Sequence, residues 1–199
     1  GDTMKWASGF LLFRMAAGAG HMPTGVKVAL GFPGTMGADF MDYIIADKSL
    51  IPDRHRHHYS ENILCMPNAY MPTDNTRKIS SRALTRADMG LPEDAFVFCC
   101  FSDSYKIKEM EFGIWMRLLR QISGSVLWLR KANHWFEANL IAEAEKRHID
   151  PARLIFADRI PMDEHLARHT LADLFLDTFA FNAHTTATEA LWAELPLVT

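Results

Sequence analysis

Residues 179–186 place an imidazole and two hydroxyls between an apolar run and a helix-forming segment. They read Phe-Ala-Phe-Asn-Ala-His-Thr-Thr, and the apolar run before them ends in Asp177. Because good helix formers follow, we expect His184, Thr185 and Thr186 to stand at a helix N-terminus, where unpaired N–H groups stabilise a phosphate. In the alternative interpretation, Thr185 or Thr186 is only the N-cap and His184 is a polar loop residue. Spacing alone leaves both open.

A lysine follows another apolar run at a comparable place. The segment Phe101-Ser-Asp-Ser-Tyr-Lys-Ile comes after Phe-Val-Phe-Cys-Cys and before a predicted helix. Lys106 would be a mobile positive charge suited to stabilising a diphosphate leaving group. A single lysine at a helix start is more often a solvated side chain. The functional interpretation gains weight because two strand-end loops offer anion-binding groups to one crevice.

His165 and Arg168 form a third candidate. They are three residues apart in the segment Met-Asp-Glu-His-Leu-Ala-Arg, so they share one face of a predicted helix. His165 could stack on or hydrogen-bond a ring. The alternative is that both are ordinary surface residues.

A glycine-containing turn is the fourth candidate. It reads Pro33-Gly34-Thr35-Met36-Gly37. Its glycines allow a close backbone approach to a ligand, but their spacing is not that of a phosphate-binding P-loop. By itself the turn is a weak indication of a site.

The histidines and cysteines do not predict a metal site. His55, His57 and His58 alternate with arginines in a loop that has no carboxylate or thiol at ligand spacing. The cysteines, Cys65, Cys99 and Cys100, are odd in number and form no Cys-x-x-Cys motif. We interpret all three as filler of apolar strands. The sequence therefore predicts neither a disulfide nor a metal site.

The elements that would position these residues form a regular pattern from Phe96 onward. Each predicted strand is apolar on both faces, and strands alternate with helices, which is typical of a parallel sheet covered on two sides. We predict strands at 96–101, 126–130, 154–157 and 172–177, and helices at 108–121, 135–147 and 163–169. The fold class is therefore a doubly wound α/β domain.

The region before this domain has a different pattern. Residues 28–32 and 41–47 read as two strands joined by a turn-forming stretch, and 84–90 as a short helix that ends at Gly90. We place a domain boundary between about 72 and 92, which divides a first region, 28–80, from a second, 81–199. Residues 1–27 stay unassigned.

Composition excludes several classes of partner. The 199 residues carry a net charge of only −3 and are 49% hydrophobic, so no bulk charge attracts nucleic acid or an anionic membrane. The apolar runs fall short of the ~20 residues that a membrane span needs. We therefore expect a cytoplasmic protein that binds neither nucleic acid nor membrane.

Six separated motifs, in this order, resemble the catalytic region of the O-linked N-acetylglucosamine transferase family, including its bacterial and SPINDLY-type relatives. They are GFPGTMGADFMDYIIAD, YSENILCMPNAY, FSDSYKI, SVLWLR, RLIFADRIPMDEHLARH and ADLFLDTFAFNAHTTATEALWAELPLVT. The resemblance runs from about Val28 to Thr199. Its strongest part is the combination of the Tyr-Lys-Ile and His-Thr-Thr signatures.

The resemblance implies a GT-B glycosyltransferase, with two Rossmann-like lobes that hold a nucleotide-sugar and with tetratricopeptide repeats usually before them. Here the fold would be incomplete at both ends: 28–80 would be a remnant of the first lobe and 81–199 a truncated second lobe. The implied reaction transfers N-acetylglucosamine from UDP to a Ser or Thr hydroxyl of a protein, with inversion and without a metal. In SPINDLY-type relatives the donor is GDP-fucose. We hypothesise that the chain as printed has little transferase activity.

The resemblance also assigns roles by motif position. Lys106 would stabilise the leaving phosphate, His184, Thr185 and Thr186 would hold the diphosphate, and His165 would contact the uracil or neighbouring groups. Asp103 and Glu189 would lie in the same nucleotide-sugar site. Pro33, Gly34, Thr35 and Gly37 would line the acceptor and sugar side.

Four positions depart from the family pattern. The family often has an amide where this chain has Asp103, and a carboxylate there opposes bound phosphates. A lysine of the animal enzymes is Met162, the aspartate that binds the donor ribose is Glu189, and the glycine after Leu-Trp-Ala is Glu194. We expect Glu194 to matter most, because a small residue there permits close packing. The departures keep two alternatives open: a paralogue that binds nucleotide without catalysis, and a non-enzymatic interaction scaffold.

Overall fold

The computed structural model of the protein describes residues 11–13, 26–28, 34–38 and 41–199. The chain divides into two compact units, Gly1–Asp74 and Asn75–Thr199. The assignment of these units to a first and a second lobe stays a prediction.

The first unit contains a sheet whose described strands follow one another in chain order, β1-β2-β3-β4. Their bounds are β1 Leu11–Phe13, β2 Val26–Val28, β3 Tyr43–Ala46 and β4 Asn62–Cys65. β1 pairs antiparallel with β2, and the other neighbours are parallel. β3 confirms the strand predicted at 41–47, whereas residues 29–32 of the strand predicted at 28–32 lie outside the described residues. The core of this sheet is made by Ile44, Ala46 and Ile51.

The second unit is a parallel sheet of five strands in the order β7-β6-β5-β8-β9, with helices between them. The strands are β5 Val97–Cys100, β6 Val126–Arg130, β7 Leu154–Ala157, β8 Leu174–Leu176 and β9 Leu197–Val198. The helices are α1 Glu109–Gln121, α2 His134–Lys146, α3 Met162–Arg168 and α4 Thr185–Trp192. Each strand and helix predicted from Phe96 onward is confirmed, with bounds that shift by one or two residues.

Both faces of this sheet are buried, as its apolar strands predict. Cys99 packs with Trp128 and Phe175 on one face, and Cys100 packs with Leu127 on the other. The two adjacent thiols therefore fill opposite sides of the core, and burial raises the pKa of Cys100 to about 11. The strand-filler interpretation is wrong for Cys65, which ends β4 and is exposed. The thiols of all three cysteines are free.

Two helical segments are each followed by a residue with a positive φ. Gly90 has a φ of 68° and terminates a single 3₁₀ turn, Ala87–Met89, in place of the longer helix predicted at 84–90. Glu194 follows α4 with a φ of 61°, in the left-handed region that disfavours residues with a Cβ. Glu194 is exposed, and its positive φ gives a backbone reason for the glycine that the resemblance implies there; the close-packing reason stays a prediction.

We expect Glu194→Gly to raise the free energy of unfolding by about 1 kcal/mol, since glycine adopts a positive φ without the Cβ clash. Urea unfolding followed by circular dichroism measures the change. Glu194→Ala is the matched control, because it removes the same side chain but keeps the Cβ. An equal gain in both variants would show that the side chain, and not the backbone, is responsible.

Candidate functional site

A pocket of about 620 Å³ lies where the strands of the second unit end. Because these strands are parallel, the loops that follow β5, β6 and β7 and the start of α4 meet at one edge of the sheet. Four cationic side chains line the pocket: Arg130, Lys131, Arg159 and Arg168. A more open hollow of about 840 Å³ along α1 contains none of the residues predicted to bind a ligand. The chemistry of the smaller pocket therefore favours an anion.

The first turn of α4 contributes to the wall of this pocket. His184 occupies the N-cap, and Thr185 and Thr186 are the first two helical residues, so neither threonine is the predicted hydroxyl cap. Thr185 and Thr186 both line the pocket. Within the described residues, the N–H groups of residues 185–187 have no hydrogen-bond partner, and the buried Oγ1 of Thr186 has none either. These donors are available to an anionic ligand.

Asp177 fixes the loop that presents this helix start. It is 4% exposed and directly follows β8. Its Oδ1 accepts hydrogen bonds from the N–H groups of Thr178 and Ala183, each at 2.7 Å, and its Oδ2 accepts from the Thr199 hydroxyl at 2.7 Å and the Asn182 amide at 3.3 Å. Sequence reasoning missed this role, although an acidic residue between an apolar strand and a turn-rich loop is a detectable signal.

Glu111 holds the same loop from α1. Its buried Oε1 accepts the N–H groups of Phe179 at 3.0 Å and Ala180 at 3.2 Å. Burial by itself raises the pKa of Glu111, yet hydrogen bonds from its own N–H and from Phe179 and Ala180 leave that pKa below its usual value. Glu111 therefore stays ionised and ties α1 to the loop, a role that no local pattern of α1 predicts.

Lys106 lies in the 3₁₀ turn Ser104–Lys106 after β5 and meets the loop after β8. Its Nζ is 4.2 Å from the ring centroid of Phe181, which stacks on His184 at 5.6 Å. The structure therefore brings Lys106 and His184 together beside the pocket, although neither lines its wall. Burial lowers the pKa of Lys106, against the raising effect of Asp103 and Asp177. Burial and the charge of Lys106 also lower the pKa of His184, so its ring is neutral near pH 7.

Asp103 forms an ion pair with Arg130. Arg130 lines the pocket and Asp103 does not. The negative charge of Asp103, which was expected to oppose bound phosphates, is thus balanced by Arg130, the last residue of the neighbouring strand β6. Met162, where the resemblance implies a lysine, also lines the pocket and adds no charge. Lys131, which pairs with Asp158 at 3.1 Å, and Arg159 place cations in the same lining.

His165 and Arg168 both line the pocket from α3, and they are not the surface residues of the alternative interpretation. Arg168 is 2% exposed, and its guanidinium lies 4.6 Å from the centroid of the Phe101 ring. It donates to the Asp158 carbonyl at 2.7 Å, while its buried Nε has no partner among the described residues. Burial lowers the pKa of Arg168 to about 10, so it stays cationic near pH 7.

Glu189 closes the pocket on the α4 side and is 5% exposed. Its Oε1 is 3.2 Å from Nη1 of Arg77, and its Oε2 is 3.6 Å from Nε2 of His165. His169 lies behind them: burial, followed by the nearby His165, lowers its pKa to about 4, and its neutral ring donates from Nδ1 to the His165 carbonyl at 2.7 Å. Sequence reasoning identified His165 and Glu189 but missed Arg77.

The glycine-containing turn belongs to the first unit, where Glu61 organises it. The buried carboxylate of Glu61 accepts the Thr35 hydroxyl at 2.7 Å and the N–H of Met36 at 2.6 Å. Gly37 has a φ of 59° and donates its N–H to Thr35 Oγ1 at 3.0 Å. Gly34 is also described, whereas Pro33 lies outside the described residues. Whether this turn lines an acceptor or sugar site stays a prediction.

The histidine-rich segment forms the 3₁₀ helix Asp53–His58, whose residues are exposed. The rings of His57 and His58 lie 3.9 Å apart, centroid to centroid. Among the described residues, no group of three His, Cys, Asp or Glu side chains has the arrangement of a metal site. None of the described helices combines the length and the apolar character that crossing a bilayer requires.

Comparison with known proteins finds one family. The model of glycosyl transferase family 41 matches residues 21–82 and 74–199. Over 89% of the chain, 36% of residues are identical to "Probable UDP-N-acetylglucosamine--peptide N-acetylglucosaminyltransferase SEC" of Arabidopsis thaliana. Over 58% of the chain, 37% are identical to the UDP-N-acetylglucosamine--peptide N-acetylglucosaminyltransferase of Caenorhabditis elegans. The chain spans 19% and 10% of the lengths of these two relatives.

A solved structure gives the same result. A mutant O-GlcNAc transferase of Thermobaculum terrenum superposes with a TM-score of 0.70 and 26% identity, over 85% of this chain and 32% of that one. The predicted α/β fold class with parallel sheets is confirmed, and the likeness to this transferase supports its GT-B type. With the family model matching most of its length and these similarities in agreement, the chain belongs to glycosyl transferase family 41.

Proposed function

We propose that this chain is part of the catalytic region of a protein O-glycosyltransferase and that its second unit holds the nucleotide-sugar donor. The donor would be UDP-N-acetylglucosamine, and the acceptor the hydroxyl of a Ser or Thr in a protein. The acceptor oxygen would bond to the anomeric carbon as the bond from that carbon to the diphosphate breaks, which inverts the configuration. UDP would leave with the bonding electrons, and the hydroxyl proton would pass to a base.

The observation that carries the proposal is the convergence of anion-binding groups at one sheet edge. The unpaired N–H groups and the Thr186 hydroxyl of α4 line a pocket that also contains four cations, and Lys106 stands beside it. Donors fixed before the reaction stabilise the charge that develops on a leaving diphosphate without reorganisation. Such an arrangement needs no metal, so we propose metal-independent transfer in which the donor is a substrate and no cofactor takes part.

The names of the relatives support the choice of donor and acceptor, because both curated relatives are named as transferases from UDP-N-acetylglucosamine to peptide. His165 and Arg168 would bind the base side of the donor, since both line the pocket beside the Phe101 ring. We place the reaction in the cytoplasm, where the three free thiols would be stable.

We expect the chain to bind UDP more tightly than GDP, and His184→Ala to weaken UDP binding by roughly tenfold to a hundredfold, as the loss of a hydrogen bond to a charged group does. Calorimetric titration of the folded chain with each nucleotide measures this. His148→Asn is the control, because His148 is exposed and precedes β7 at the opposite edge of the sheet.

Three outcomes separate the interpretations. UDP binding that the His184 variant loses supports the donor site. UDP binding by this chain, together with no sugar transfer by a longer version that carries both lobes, favours a paralogue that holds nucleotide but does not catalyse. A folded chain that binds neither nucleotide contradicts the donor site and leaves the α/β unit as an interaction scaffold.

A further inference from the structure

Arg77 forms an ion pair with the pocket residue Glu189, and no local sequence pattern predicts this contact. It lies in the polar segment before β5, 112 positions from Glu189 in the sequence, and its Nη1 approaches Glu189 Oε1 at 3.2 Å. The Arg77 side chain is 28% exposed and that of Glu189 only 6%. An ion pair with so little solvent around one partner is screened much less than a surface pair.

Glu189 places a negative charge in a pocket that is proposed to bind an anion. Its carboxylate lines the same wall as Arg130, Lys131 and Arg159. Burial raises the pKa of Glu189, yet His165 first, and then Arg77, hold it below its usual value, so the carboxylate stays charged near pH 7. A bound diphosphate would meet this negative charge unless the charge is compensated.

Two side chains contact the Glu189 carboxylate, one at each oxygen. His165 faces Oε2, and His169, which is neutral, stands behind His165. Arg77 faces Oε1 and is a permanent cation at physiological pH. Arg77 does not itself line the pocket, and it contacts the pocket residue Glu189 through their ion pair.

We propose that Arg77 is a positioning residue of the donor pocket, which neutralises and orients the Glu189 carboxylate so that the pocket accepts the diphosphate of a nucleotide. The inference rests on the proposed function. It adds a residue from outside the pocket to the set that determines the affinity for the charged part of the donor.

The segment around Arg77 supplies a matched control. The N–H of Ser80 donates to the Asp163 carbonyl at 3.0 Å, and Arg82 pairs with Glu164 at 3.2 Å, so the same segment is also fixed to α3. Arg82 is far more exposed than Arg77 and does not line the pocket. If the ion pairs only fasten this segment, Arg77→Ala and Arg82→Ala will have similar effects.

The test compares UDP with uridine, which has no phosphate. Calorimetry measures the affinity for UDP, and NMR chemical-shift titration measures the affinity for uridine, after thermal unfolding has shown that each variant is folded. Arg77→Ala is expected to weaken UDP binding roughly tenfold, as the truncation of one partner of a partly buried charge pair does, and to change uridine binding far less. Arg77→Lys should restore part of the loss, and Arg82→Ala should leave both affinities unchanged.

The decisive variant is the double substitution Arg77→Ala with Glu189→Gln. Because glutamine carries no charge to compensate, UDP binding should return to within about threefold of the Glu189→Gln single variant. Equal losses for UDP and uridine, or no rescue by Glu189→Gln, would overturn the role of Arg77 and leave the donor site intact. A parent chain that is folded but binds no UDP would overturn the donor site, and the inference with it.

Discussion

Lys106→Ala is expected to lower the rate of sugar transfer roughly a hundredfold to a thousandfold, the range found when one preorganised donor to a developing negative charge is removed. Lys106 is held at the meeting of two strand-end loops, with its Nζ over the Phe181 ring and near His184. Its charge would be most valuable when the sugar leaves and the diphosphate gains negative charge. The rate is measured with radiolabelled UDP-N-acetylglucosamine at saturating donor.

Lys108→Ala is the control for this prediction. Lys108 is exposed, precedes α1 and lines the hollow along that helix, away from the donor pocket. Its removal should change neither the rate nor the stability. If the parent chain does not transfer sugar, the affinity for UDP is measured in place of the rate. Lys106→Ala is then expected to weaken UDP binding roughly tenfold, and Lys108→Ala to leave it unchanged. A Lys106 variant as active as the Lys108 variant would contradict the proposed role.

Asp177→Asn is expected to lower the free energy of unfolding by about 3 kcal/mol and to weaken UDP binding by more than tenfold, as the disruption of a buried network does. The substitution keeps the shape of the side chain. It nevertheless places an NH₂ group either where Oδ1 accepts two N–H groups or where Oδ2 accepts the Asn182 amide, so at least one donor of the loop loses its acceptor. The loop would then no longer hold the start of α4 in place.

Asp173→Asn separates stability from binding. Asp173 lies at the other end of the same strand, where its carboxylate accepts the N–H of Val97 at 2.7 Å and pairs with Arg86 at 3.0 Å. Its substitution should also destabilise the unit but leave the UDP affinity of the folded protein unchanged. Urea unfolding and calorimetry at a temperature where both variants are folded measure the two effects. Equal losses of UDP affinity would show that Asp177 acts only through overall stability.

Local sequence was sufficient for the elements that build the candidate site. The strands from β5 to β8 are apolar on both faces and the helices between them have a helical period, so their order predicted a parallel sheet. Because parallel strands end at one edge, the segments with Lys106 and His184–Thr186 could be assigned to that edge from the sequence. Three shorter elements were not predicted. β9 has only two residues, and β4 and the 3₁₀ helix Asp53–His58 show no clear hydrophobic period.

Local sequence pattern also could not predict three details at the ends of elements: the cap of α4, the exposure of Cys65 and the backbone conformation of Glu194. A threonine looked like the natural cap of α4, yet His184 takes that position, because the loop is fixed by Asp177 and Glu111 and not by a capping hydroxyl. Cys65 looked like strand filler but lies at an exposed strand end. The glycine expected at Glu194 looked like a packing requirement, and the positive φ there adds a backbone reason that the sequence does not show.

The sequence by itself determined the fold class, the resemblance to a family and several of the side chains at the sheet edge, because these depend on periodicity and on ordered motifs along the chain. Only the tertiary structure decided which charges meet. Arg77 reaches Glu189 across 112 positions, Glu111 reaches Phe179 across 68, and Arg130 reaches Asp103 across 27. Pairs so distant in sequence have no local signature, because the sheet brings them together only after it has formed.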